Sequence, residues 1–174
     1  LNLTNQLLDF QKTESDAYLL NLEPRNVSEL IRETLLRFTP LTKQKGLLFD
    51  IDLPAEDMYV QVDKEAFLKI ISNLINNAIR YCSSFVRLKA YIDGDNEGSR
   101  FHLITDNDGE KIPDEHQHAI FKPFVQLDKE DRTVSGTGIG LALSRSLTEL
   151  HKGTLNLEDS EDTVRFHLVL PVGS

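Results

Sequence analysis

The sequence predicts an α/β (α+β) two-layer sandwich, in which a mixed, mainly antiparallel sheet packs on helices at one face. Three observations carry that prediction. Stretches with apolar residues every three or four positions are interleaved with stretches where they recur every second position. Several of the second kind flank turn-rich sequence, above all residues 93–98, which is how hairpins read. The 174 residues are 40% hydrophobic and 27% charged, an ordinary globular composition for one main domain.

Residues 1–16 read as a helix, with Leu3, Leu7 and Phe10 at spacings of four and three and Leu8 beside them. Its apolar face needs a partner, in this chain or in another copy. Residues 21–26 contain Pro24 and read as a linker. A second helix is expected over 27–45, with Leu30, Ile31, Leu35 and Phe38 on one face and Ser28 as its N-cap. Pro40 falls inside this pattern and predicts a kink or a break. Gly46 ends the helix. Leu47, Phe49, Ile51 and Leu53 then alternate as a half-buried strand, and 59–62 is a second, shorter one.

Asp63 caps a strong helix that reaches Tyr81. Strands follow at 85–92 and 100–105, joined by the turn-rich hairpin segment. Residues 106–138 are mostly loop, with a short helix near 113–120, and a further helix covers 139–151. Strands at 154–157 and 164–170 close the chain. There is no internal repeat and no low-complexity tract.

Twenty-eight acidic residues against 19 basic ones give a net charge of −9. So acidic a chain is ill suited to general binding of nucleic acid or an anionic membrane. Cys82 is the single cysteine, so no disulfide forms within the chain, and a reducing, cytoplasmic setting follows. No apolar run approaches the length of a membrane span. The chain opens on Leu1 rather than Met, which suggests a piece of something longer.

Four features bear on chemistry. Gly136-Thr137-Gly138-Ile139-Gly140 leads into an apolar-periodic helix that begins with Leu141. Glycines before a helix let the backbone approach an anion, while free N–H groups and the helix dipole favour negative charge. The same glycines also suit a plain flexible turn. On the 64–81 helix, Asn73, Asn77, Arg80 and Tyr81 form a stripe beside the apolar face. An amide oxygen suits Mg2+, a guanidinium suits phosphate, and a tyrosine ring can stack on a base. A solvated polar face is the plainer reading of that stripe. Asn107-Asp108-Gly109, followed by Ile112-Pro113, ends a strand. Ile120-Phe121-Lys122-Pro123-Phe124 places apolar residues in a polar region, as a small satellite core would. Residues 125–135 are charged and irregular, the pattern of a lid that orders on binding. The five histidines form no ligand pattern in the sequence.

These features, in this order, resemble the ATP-binding catalytic domain of two-component sensor histidine kinases. That domain is a branch of the gyrase, chaperone and mismatch-repair ATPase superfamily with its Bergerat-type fold. Residues 73–81 look like its N box, 107–113 a variant G1 box, 121–124 the F box and 136–141 the G2 box. The style of the boxes is similar to hybrid sensor kinases of Bacteroides-type bacteria. The resemblance implies that residues 1–20 end a dimerisation and phosphoacceptor helical domain and that 21–174 are the catalytic domain. It implies ATP and Mg2+ as cofactors, with Asn77 on the metal, Asn73 and Arg80 toward the phosphates, Tyr81, Asn107 and Ile112 around the base, and Gly109 and Phe124 among the other nucleotide-binding residues. Gly136, Gly138 and Gly140 would let the lid wrap the triphosphate, with Thr137 and Leu141 also nucleotide-binding.

The implied partners are the protein's own phosphoacceptor helices, a response-regulator receiver domain and a second copy, in the cytoplasmic part of a membrane-anchored sensor. The γ-phosphoryl group would go to a histidine outside this chain, so the chain alone should not autophosphorylate. The sequence departs from the family at Asn107, where Asp is usual, and at Lys111, where a second glycine is usual. Asp162-Thr163 stands where the family has glycine–threonine. These departures raise the alternative of a degenerate, interaction-only domain. A clamp-type ATPase of the same superfamily is the other alternative. The base-reading role falls on Asn107 rather than on Asp106 or Asp108, because residues one step away on a strand end face the other way.

Overall fold

The computed structural model describes residues 3–95, 98–125 and 138–173. In chain order the elements are α1 (Leu3–Glu14), β1 (Glu23–Asn26), α2 (Val27–Gln44), β2 (Leu48–Asp52), β3 (Tyr59–Val62), α3 (Lys64–Tyr81), β4 (Phe85–Asp93), β5 (Arg100–Asn107), α4 (Gly140–Leu150), β6 (Thr154–Glu158) and β7 (Val164–Pro171). Two 3-10 turns, Asp114–His116 and Ala119–Phe121, stand where one short helix was expected.

Five strands pair in the order β2-β4-β5-β7-β6, and β1 and β3 form a separate antiparallel ribbon. Only β2 runs parallel to its neighbour, so the sheet is mixed and mainly antiparallel, as the sequence predicts. The two-residue period assigns the faces. Val86, Leu88, Ala90, Phe101, Leu103, Val164, Phe166, Leu168 and Leu170 point one way and are buried. They meet the apolar face of α3, built from Phe67, Ile70, Ile71, Leu74, Ile75, Ala78 and Ile79. Phe67 and Phe101 touch edge to face at 6.0 Å, across the two layers.

Several local expectations change. Residues 23–26 are a strand, not a linker. The ladder to β3 supplies what the short sequence Glu-Pro-Arg-Asn does not announce. Asn26, not Ser28, caps α2, its side chain accepting from the Glu29 N–H at 3.2 Å. Ser28 is buried, and its Oγ accepts from the Met58 N–H instead. The helix runs through Pro40 without a break. Proline costs the bond to the carbonyl four residues back. That carbonyl belongs to the exposed Leu36, and Pro40 is exposed too, so water can take the lost bond.

The buried stripe of α1 also differs from the one its leucines suggest. Gln6 and Thr13 are buried, Leu7 and Phe10 pack partly on the core, and Leu3 and Leu8 are exposed. The helix lies against α3 and α4, where Asp9 pairs with Lys69 at 2.7 Å and shapes which side turns inward. Tyr18, after the helix, sits under the same ammonium, 5.7 Å from it.

His151 ties the ends of the two main helices together. It is 5% exposed, and its Nδ1 donates to the Leu147 carbonyl at 2.7 Å. Its Nε2 accepts from the Asp63 N–H at 3.2 Å, and Asp63 in turn caps α3 by accepting from the Ala66 N–H. An N–H can only donate, so Nε2 must carry the lone pair and the ring must be neutral. Burial lowers the pKa of this imidazole, against the opposing pull of the Leu147 carbonyl and Asp63. Above about pH 6.5 the ring is neutral in folded and unfolded chains alike. Below that, the unfolded chain takes up the proton first, so stability falls as pH drops toward the folded pKa. Melting temperatures of the protein and of His151→Gln between pH 7.5 and 5 should show a steeper acid-side decline in the protein than in the variant. Parallel curves would remove His151 as the source.

Candidate functional site

The polar stripe of α3 is held at both ends. Asn73, 7% exposed, donates from Nδ2 to the Gly140 carbonyl at 3.3 Å and to Ser144 Oγ at 3.1 Å. It thereby fixes the start of α4 against α3. Its Oδ1 faces Gln6 Nε2 of α1 at 3.5 Å. Eight residues on, the Tyr81 carbonyl crowds Gly109: a Cβ there would lie 2.1 Å from it and 2.7 Å from Asn107 Oδ1. Glycine is therefore the residue that lets the end of β5 close on the end of α3. At about 1.5 Å per residue, these two anchor points are roughly 12 Å apart along α3.

Asn77 lies between them. It is half-buried, and its side chain makes no hydrogen bond to any described residue. The Arg80 guanidinium lies over the Tyr81 ring, 5.2 Å from its centre. Among the described residues no side chain caps the start of α4, whose first turn presents a positive dipole end.

At the end of β5, three neighbouring polar residues are sorted by the strand's alternation. Asp106 faces the open side of the sheet, where Arg165 Nε holds it at 2.8 Å and Thr163 Oγ1 donates at 2.8 Å. Asp108 accepts from the N–H groups of Ser83 at 2.9 Å, Ser84 at 2.9 Å and Phe85 at 3.0 Å, and from the Ser84 hydroxyl. Burial works against its charge, but these donors outweigh it and hold the carboxyl far below the usual carboxylate range. Asn107 is 1% exposed and faces the helices, with Thr105 and Leu103 behind it on the same face. Its Oδ1 accepts from the Gly109 N–H at 2.9 Å.

Of the remaining sequence-predicted residues, Gly138 and Phe124 come together. The Phe124 N–H donates to the Gly138 carbonyl at 2.7 Å, and both residues have positive φ, 67° and 71°. A Cβ on Gly138 would lie 2.9 Å from Phe124 Cα. The Phe124 ring is 62% exposed, whereas Phe121 is packed edge to face on Phe166 with Arg145 over it at 4.2 Å. Leu141 is half-buried in the first turn of α4. Ile112 is partly packed on the core and, with Lys111, Thr163 and Val164, helps line a 140 Å³ cavity. Gly136 and Thr137, and the lid expected over 125–135 beyond Val125, lie outside the described residues.

Sequence reasoning missed the neighbours of Asn73. A 300 Å³ cavity beside it is lined by Gln6, Asp9 and Lys12 of α1, Lys69 of α3 and Leu143 of α4, among others. Residues so far apart in sequence give no local sign of meeting. It also missed the pair His102–His167, whose Nδ1 and Nε2 lie 2.8 Å apart across β5 and β7. Among the described residues, no group of three or more His, Cys, Asp or Glu is placed to hold a metal ion.

The profile of the family described as histidine kinase-, DNA gyrase B- and HSP90-like ATPase matches residues 62–174. The sensor protein RstB of Escherichia coli is 38% identical over 160 residues, covering 91% of this chain and 36% of RstB. The sensor histidine kinase WalK of Bacillus subtilis is 28% identical over 172 residues, covering 97% of this chain and 28% of WalK. The chain thus spans about a third of the length of these relatives. Among solved structures, the catalytic domain of histidine kinase ThkA superposes with a TM-score of 0.75 at 26% identity, covering 88% of this chain and 97% of that one. The Acinetobacter baumannii histidine kinase AdeS, at 22% identity and TM-score 0.78 over 98% of this chain and 77% of AdeS, shares the fold.

Asp108 generates a prediction of its own. Replacing it with asparagine sets an amide N–H2 among donors and removes the charge. Asp108→Asn should lose about 1–2 kcal/mol in urea denaturation at pH 7, discounted for the partial exposure of the group. The deficit should shrink in acid, because a depressed carboxyl contributes fully above about pH 4 and less as pH falls through its folded pKa. Equal stability at pH 7 would mean that the donors find other partners.

Proposed function

The chain belongs to the histidine kinase-, DNA gyrase B- and HSP90-like ATPase family, and from that premise we propose that it is the ATP- and Mg2+-binding catalytic portion of a sensor histidine kinase. Asn77 is the observation that carries the reading. A half-buried amide, unpaired among the described residues and set between an uncapped helix start and the Tyr81–Gly109 junction, is what a nucleotide site with a shared metal ion needs. Mg2+ takes few protein ligands and completes its shell with phosphate oxygens and water. The lack of an acidic or histidine cluster among the described residues therefore fits an ion brought in with its nucleotide.

In this reading the base lies at the Tyr81, Asn107, Gly109 and Ile112 end, with Phe124 at its edge. The phosphates lie on the start of α4, at Gly138, Gly140 and Leu141, with Gly136 and Thr137 completing the wrap. Arg80 directs its charge to the phosphates. Asn73 acts as a positioning residue, holding Gly140 and Ser144 where the α4 N–H groups can reach the anion. Bound Mg2+ supplies neutralisation of the phosphate charge, and this chain's contribution is orientation and donors.

Residues 1–20 are the end of the phosphoacceptor helical domain, and the γ-phosphoryl group passes to a histidine outside this chain. From there it goes to a response-regulator aspartate, within a homodimer whose cytoplasmic part this domain forms. Among the described residues no helix is long and apolar enough to cross a membrane. Asn107 and Lys111, the two departures in the G1 region, favour a second reading, a domain that keeps the fold and signals by contact alone.

Calorimetric titration with Mg·ATP separates the two. Binding that weakens roughly tenfold or more in Asn77→Ala, a change of about 1.4 kcal/mol, with the melting temperature of the free protein almost unchanged, is the expected result. Unchanged Mg·ATP affinity in Asn77→Ala would remove Asn77 from the site. No binding by the unmodified protein would favour the contact-only reading.

A further inference from the structure

On the side of the sheet opposite α3, four titratable side chains form a line that the nucleotide site does not use. Strand alternation sets Tyr91 of β4, His102 of β5 and Val169 of β7 side by side there, with Ile104, His167 and Asn156 of β6 in the neighbouring row. His102 Nε2 donates to Asp93 Oδ1 at 2.9 Å. His102 Nδ1 lies 2.8 Å from His167 Nε2, and His167 Nδ1 meets Glu158 Oε1. An ionised carboxylate can only accept, so the two outer nitrogens, His102 Nε2 and His167 Nδ1, must each carry a hydrogen. Two neutral imidazoles have only two hydrogens between them, and both are then spent. The facing nitrogens would set lone pair against lone pair, unless a cation stands between them. The ring centres are 5.0 Å apart and the nitrogens 2.8 Å, so the two ring radii take up the difference and the nitrogens point at each other almost end to end. A metal ion on that line would hold the nitrogens about 4 Å apart. A separation of 2.8 Å is instead that of a hydrogen bond.

We infer that His102 and His167 share one proton, so that the line Asp93, His102, His167, Glu158 holds three N–H groups for its three hydrogen bonds and is a proton-binding site. The shared proton places one positive charge between two carboxylates. Both rings are largely shielded, with side chains 13% and 16% exposed. With one proton fewer, two acceptors would face each other; with one more, two donors would. Leaving such a group unsatisfied costs more than the bond contributes when made. The other groups on this side leave the line intact. The Tyr91 ring stacks on His102 with centres 4.7 Å apart, and Lys89 lies over Tyr91, 5.5 Å from its centre. Arg165 is committed to Asp106 at 2.8 Å, and Arg100 stands opposite Asp93 in the ladder. Asp93, His102, His167 and Glu158 belong to β4, β5, β7 and β6, so one proton ties four neighbouring strands. A histidine in an unfolded chain titrates near about pH 6.5. Above that pH folding takes up a proton, and stability falls as pH rises. Below it folding releases one, and stability falls as pH drops. The contribution of the pair therefore peaks near about pH 6.5 and declines in both directions.

The test is nitrogen NMR of the 174-residue protein with labelled histidines at pH 7, where protonated and bare ring nitrogens resonate far apart. Among the four ring nitrogens of His102 and His167, the expected result is three protonated and one bare, whether the bare one sits on one ring or is averaged over the facing two. Two bare nitrogens would overturn the inference, and so would none; this readout needs no variant to fold. Urea denaturation of the protein and of His167→Gln at pH 5, 6.5 and 8.5 gives the linked readout. The difference between their midpoints should be largest at pH 6.5 and smaller at both ends. The contribution of His151 is present in both proteins and cancels. A difference that stays constant across the three pH values, or changes in one direction only, would overturn the inference equally.

Discussion

The packing of one face of α3 on the sheet is the constraint from which the site follows. Phe67, Ile70, Ile71, Leu74, Ile75, Ala78 and Ile79 are buried, and α3 packs on β4 and β5, so the rotation of the helix about its axis is set by its apolar stripe. Once that rotation is set, the direction of Asn73, Asn77, Arg80 and Tyr81 is no longer free. Asn73 reaches the start of α4, the Tyr81 backbone reaches Gly109, and Asn77 is left between them. The site is thus a by-product of core packing, and its precision derives from the core's rigidity. His151 extends the same logic, coupling the first turn of α3 to the last turn of α4 through two hydrogen bonds from one neutral ring.

Much of this was legible in the sequence because the strongest signals are local. The cap at Asp63, the long apolar face after it, the alternation in β4, β5 and β7 and the glycine before α4 each show within a window of a few residues. The failures lie outside that window. Glu23–Asn26 became a strand only because β3 lies beside it. Gln6 and Thr13 displaced two leucines from the inner face of α1: Gln6 faces Asn73 of α3, and Thr13 turns its hydroxyl back on the Phe10 carbonyl. Pro40 was tolerated because its helix face is wet. A tertiary neighbour overrode local propensity at Glu23–Asn26 and at Gln6, whereas at Pro40 water takes over the lost bond.

The end of β5 shows how far alternation alone can carry a site assignment. Asp106, Asn107 and Asp108 are three adjacent polar residues, and composition gives no reason to choose among them. The two-residue period separates them into opposite faces, and the structure then gives each carboxylate a full set of protein partners. The sequence could place Asn107 on the helix side. It could not say which atom of the amide would be presented, because that depends on the turn at Gly109 and on how closely the Tyr81 carbonyl approaches it.

A chain with a net charge of −9 has to accommodate a polyanion if the nucleotide reading holds, and the placement of its carboxylates shows how. Asp106 is matched by Arg165, Asp108 is surrounded by four donors, and Asp9, in the cavity beside Asn73, is matched by Lys69. These three carboxylates are each compensated within a few ångströms, and compensated pairs project little field beyond a Debye length. Among the described residues no side chain caps the start of α4, at one end of the groove along α3. The net charge describes the whole surface; the potential that an anion meets in the groove is set by these few neutralised groups and by the donors left over.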